Sequence, residues 1–83
     1  NLAEPLLINI GYLLLEAKKN VAALAVFKLN VEFYPDSWNA YNSLGDGYVK
    51  NGDKAQAIKF YEKSLVLNPK NAGAAKKLEE LRR

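Results

Sequence analysis

Residues 37–69 read SWNAYNSLGDGYVKNGDKAQAIKFYEKSLVLNP, and this stretch decides the fold. Tyr41, Leu44 and Tyr48, then Ile58, Tyr61 and Leu65, recur at spacings of three, four and seven residues, the period of a helix with an apolar face. Asn51-Gly52-Asp53 separates the two runs. Glycine takes the left-handed backbone conformation that ends a helix, and aspartate accepts a hydrogen bond at the start of the next. Ser37 stands where a cap would precede the first run, which extends to about Lys50. The second run spans about Lys54–Leu67 and stops at Asn68-Pro69, because proline disfavours helical geometry in the residue before it.

The same design lies 34 residues upstream. Gly11 aligns with Gly45, Ala23 with Ala57 and Pro35 with Pro69, while Leu7, Ile10, Leu14, Leu24, Phe27 and Val31 align with Tyr41, Leu44, Tyr48, Ile58, Tyr61 and Leu65. A fixed period of this length is the signature of a stacked helical array. The first unit therefore holds helices over about Pro5–Lys18 and Val21–Tyr34, although its connecting Lys18-Lys19-Asn20 contains no glycine. A fifth helix is expected over about Ala72–Arg82. The reading is an all-α single domain over residues 1–83, with units at about 4–37 and 38–71 and a terminal helix at about 72–82. Gly11, Gly45, Ala23 and Ala57 are small where paired helices would cross more closely than usual. Gly47 reads as a further close contact.

Tyr41, Leu44-Gly45, Tyr48, Ala57, Tyr61 and Pro69 resemble the tetratricopeptide repeat, and the resemblance covers about residues 4–71. It implies two helix-turn-helix hairpins in a right-handed α-solenoid. In the last helix Ala75 and Leu78 fit the pattern, but Glu79 replaces the small residue, which suggests a solvated capping helix. Partners of this family usually lie in the concave face lined by the first helix of each pair. Carried onto this chain, the face comprises Ile8, Asn9, Tyr12, Leu15 and Glu16, then Asn39, Asn42, Ser43, Asp46 and Lys50, then Lys76, Lys77 and Glu80. Some members grip a C-terminal carboxylate with Lys, Asn and Arg. The matching positions are Ile8, Tyr12, Ser43, Gly73 and Lys77, of which only Lys77 keeps the charge, so such a clamp is not expected. Residues 30–37 and 63–69 are also similar to the repeat-bearing tail of certain bacterial serine hydrolases of the β-lactamase type, which would make this chain an accessory module.

Composition removes other classes. The 83 residues include no cysteine, histidine or methionine, so thiolate chemistry, a Ser-His-Asp relay and Cys/His metal sites are all missing from the chain. Ser37, Ser43 and Ser64 lack the surroundings of a nucleophile, and the carboxylates are scattered. Gly45-Asp46-Gly47 begins like a phosphate loop, but Lys50 takes the third glycine position and the dipeptide lies within a helix. No enzymatic activity and no cofactor are expected of the chain. The net charge of +3 is spread over mixed signs, without the basic stripe of a nucleic-acid binder. No apolar run reaches the length of a membrane span. The start at Asn1 without any methionine suggests a fragment of a longer chain.

The first helix is apolar almost all round, through Leu6, Leu7, Ile8, Ile10, Tyr12, Leu13, Leu14 and Leu15. Such a helix is normally covered on more than one side. Residues 6–15 would therefore meet a preceding domain, a second copy of the chain, or an apolar ligand. The expected function is protein interaction, with a peptide or protein segment held in the concave groove. The alternative is self-association or intramolecular packing without an external ligand.

Overall fold

A computed structural model describes residues 2–83. Five helices follow one another: α1 (Ala3–Glu16), α2 (Asn20–Phe33), α3 (Trp38–Lys50), α4 (Lys54–Leu67) and α5 (Ala72–Leu81). α1 pairs with α2 and α3 with α4; α2 packs against α3, and α5 closes the row on α4. The all-α architecture of two hairpins and a terminal helix is the one expected from the period.

The breaks fall where local chemistry puts them. Ser37 Oγ accepts from the Ala40 N–H at 3.1 Å, Asp53 Oδ1 from Gln56 at 3.2 Å, and Asn71 Oδ1 from Ala74 at 3.2 Å, so α3, α4 and α5 each begin at a side-chain cap. Gly52 takes the left-handed backbone at φ +76. The first hairpin reaches the same turn without glycine, because Lys18 adopts φ +63 at the corresponding place. That turn corrects the expected first helix: it stops at Glu16 rather than Lys18 and begins at Ala3 rather than Pro5. Pro5 then lies in the first turn, where its missing N–H has no intrahelical acceptor to lose.

Small residues and rings set the separation within each hairpin. A Cβ on Gly11 would lie 2.2 Å from Cε1 of Phe27, and one on Gly45 2.6 Å from Cε1 of Tyr61. Each ring occupies the space that a side chain at the glycine would need. Gly47 makes the contact between hairpins, since its Cβ would lie 2.9 Å from Phe27 and 3.3 Å from Leu24. Ala23, Phe27, Leu44, Tyr48, Ala57, Tyr61, Ala74 and Leu78 form one buried cluster through all the helices except α1, which packs Tyr12, Leu14 and Leu15 against it. Burial of each large side chain stabilises the fold by about 1.5–3 kcal/mol. Phe60 stacks between Tyr41 and Tyr48, with centroids at 6.1 and 5.6 Å.

One buried amide is out of step with its counterpart. Ser64 donates to the Trp38 carbonyl at 2.8 Å and accepts from Asn71 at 3.0 Å. Asn30, one period earlier, is fully buried, and its side-chain nitrogen and oxygen have no partner among the described residues. Two substitutions test this account of packing by urea denaturation. Gly45→Ala should lower stability by about 1–3 kcal/mol, the cost of forcing a methyl group into a filled site. Asn30→Leu should raise it by about 1–3 kcal/mol, the desolvation penalty of an unpaired amide.

Candidate functional site

α1, α3 and α5, with Tyr61 from α4, line a cavity of about 570 Å³. Leu15, Val49 and Leu81 supply its apolar wall, Tyr12, Tyr61, Asp46 and Lys77 meet within it, and Glu16, Lys18, Lys50 and Glu80 surround them. The repeat explains the convergence. Tyr12, Asp46 and Glu80 are successive occupants of one repeat position, as are Leu15 and Val49, and Glu16 and Lys50. Stacking brings these equivalent positions side by side.

Asp46 is the electrostatic centre. Its Oδ2 accepts the Tyr12 hydroxyl, and its Oδ1 accepts both the Tyr61 hydroxyl and the Lys77 ammonium, the last at 2.7 Å. The same ammonium lies over the Tyr61 ring, 5.5 Å from its centroid. With its one proton given to Asp46, the Tyr12 oxygen accepts from the Ser43 hydroxyl at 3.3 Å, and the Tyr12 ring meets Phe27 edge-on at 5.1 Å. Three helices besides α3 thus contribute a donor to one carboxylate. Burial, and then the hydrogen bond to Asp46, push the Tyr12 and Tyr61 phenols well above the ordinary tyrosine range.

The residues expected at the concave face divide into two sets. Tyr12, Leu15, Asp46, Lys50 and Lys77 line the cavity, with Glu16 and Glu80. Ser43 is buried beneath Tyr12, so it supports the floor and offers no free surface. Ile8, Asn9, Asn39, Asn42 and Lys76 do not line the cavity. Ile8 is half-buried; Asn9, Asn39 and Lys76 are exposed; Asn42 Oδ1 accepts from Asn71 at 3.4 Å, which occupies it within the fold. Sequence reasoning missed Lys18, Val49, Tyr61 and Leu81 as lining residues. Val49 was within reach, because it repeats Leu15 one period on. Its helical spacing puts Tyr61 on the packing face, and its ring is buried, but its hydroxyl reaches Asp46.

A second, apolar hollow of about 500 Å³ opens at the other end of α1, lined by Ala3, Leu6, Leu7, Phe33 and Tyr34. Nearby, Leu6, Ile10 and Leu13 are 59%, 38% and 63% exposed. Their counterparts one period later, Ala40, Leu44 and Gly47, are buried. α1 therefore shows to the outside the stripe that α3 buries.

Comparison with known proteins agrees with this architecture. Residues 38–71 match the family model of the tetratricopeptide repeat. The chain is 43% identical over 51 residues to the Hsp70-Hsp90 organizing protein of Triticum aestivum, covering 61% of this chain and 9% of that protein. It is 30% identical over 61 residues to Superkiller protein 3 of Schizosaccharomyces pombe, covering 74% of this chain and 4% of that protein. The chain thus spans less than a tenth of the length of either curated relative.

The tyrosine pairing has a consequence for alkaline stability. Both phenols hold their protons more tightly in the folded chain than in the unfolded one, whose tyrosines titrate near 10. Their contribution is complete below that pH and is lost as the pH rises above it. The melting temperature should fall steeply above about pH 10, and the fall should be shallower in a Tyr12→Phe/Tyr61→Phe variant.

Proposed function

We propose that this tetratricopeptide-repeat chain holds a peptide or protein segment in the groove between α1, α3 and α5, as an accessory module of a larger protein. The observation that carries this reading is the cavity of about 570 Å³ in which Leu15, Val49 and Leu81 form an apolar wall beside fixed polar groups. Binding sites commonly combine a mostly apolar concave surface with a few placed polar groups. The name of the wheat relative, an organizing protein, supports a role in holding other proteins. The reading asks no catalysis of this chain, no cofactor and no nucleic acid. The resemblance to serine-hydrolase tails gains nothing from the relatives, and a bacterial parent chain is not part of the proposal.

NMR titration with a library of short peptides tests the reading. Shifts should concentrate on Leu15, Val49, Lys50 and Leu81, and Val49→Glu should abolish them while the circular dichroism spectrum is unchanged. Shifts spread evenly over α2 and α4 would refute it.

Self-association through α1 is the second reading, favoured by the exposed Leu6, Ile10 and Leu13. Contiguous apolar patches of this kind usually mark contacts. Sedimentation equilibrium should show a concentration-dependent dimer that Leu6→Glu/Leu13→Glu converts to monomer. A monomer at every concentration would remove this reading and leave the groove unaffected.

A further inference from the structure

We propose that Asp46 sets the selectivity of the groove: by holding Lys77 it closes the floor electrically, so that the groove accepts an uncharged apolar segment and gives no advantage to a free carboxylate terminus. The inference rests on the groove reading and specifies its ligand.

Lys77 is the cation fixed at the floor, and it is not free. Its ammonium lies 2.7 Å from Asp46 Oδ1 and over the Tyr61 ring. The Asp46 side chain is only 17% exposed and accepts from Tyr12 and Tyr61 as well. A ligand carboxylate reaching Lys77 would meet the Asp46 anion beside it, and like charges in a partly desolvated site repel strongly. Displacing Asp46 would instead leave a carboxylate in a confined space without its cation. The other ionic side chains around the cavity, Glu16, Glu80, Lys18 and Lys50, balance one another in sign. Their formal charges sum to zero, so the rim adds no net charge of either sign. The remaining complementarity is with apolar side chains set against Leu15, Val49 and Leu81.

Chemical-shift titration of the full chain with N-acetyl-Gly-Gly-Leu-Phe-Gly, as the free acid and as the amide, tests the proposal. The wild-type chain should bind both forms equally to within about twofold, and replacing Leu-Phe by Ser-Ser should weaken binding by about tenfold or more, as expected for the loss of buried apolar groups. Asp46→Asn frees the ammonium. It should make the acid bind about tenfold tighter than the amide, the worth of one charge-assisted hydrogen bond. Adding Lys77→Gln to that variant should erase the difference. Lys77→Gln alone leaves the Asp46 anion without its cation and should make the acid bind more weakly than the amide; the near-equality of the two forms in the wild-type chain decides the matter even if Asp46→Asn does not fold. A wild-type preference for the acid that Lys77→Gln removes would overturn the proposal and leave the groove reading standing. Binding of neither peptide, with no shifts at Leu15 or Val49, would overturn both.

Discussion

Everything in this molecule depends on an aromatic ring lying against a glycine. Phe27 covers Gly11 and Tyr61 covers Gly45, each ring occupying the volume that a Cβ would need. This contact fixes how closely the helices of a hairpin approach, and dispersion across such close surfaces is a large part of what holds them. It also aims the ring. With the Tyr61 ring seated on Gly45, its hydroxyl arrives at Asp46, one residue further along α3. Packing and polar architecture are therefore one constraint: the residue that makes the helix pair compact also supplies a donor to the groove.

The two hairpins use this contact with unequal support. The second has side-chain caps on both helices and a glycine in its turn. The first has no side-chain cap on either helix, a lysine in the left-handed conformation and a buried amide without a partner among the described residues. In a linear array, stability is roughly a sum of unit terms and neighbour terms. The first hairpin leans on the interface with α3, where Gly47 admits Phe27 and Leu24, and on a reciprocal bond pair in which Asn51 donates to the Asn20 carbonyl and Asn20 to the Lys50 carbonyl.

The fold was legible because its determinants are local: apolar spacing, a glycine turn, capping residues and a period. The end of α1 was not, because a lysine took a conformation that its sequence does not announce. The groove was partly legible. Translating Leu15 by one period gives Val49, and translating Tyr12 gives Asp46 and Glu80. The pairing of Asp46 was hidden, because its partners Tyr12, Tyr61 and Lys77 are 34, 15 and 31 residues away and no short motif links them. The asparagines expected on the concave face show the opposite limit. Asn42 has a plausible helical position, yet Asn71 engages it from the start of α5.

Trp38, the chain's one tryptophan, opens α3, and its carbonyl is tied to Ser64 of α4. Its side chain is partly exposed, and its place in the chain is the first residue of the second hairpin. The molecule thus carries a built-in optical gauge on one of its two units. Its emission reports on the surroundings of the start of α3, whereas circular dichroism sums all five helices. Coincidence of the two signals on heating describes a single cooperative body; an early loss of ellipticity at constant emission describes an array that peels from its α1 end.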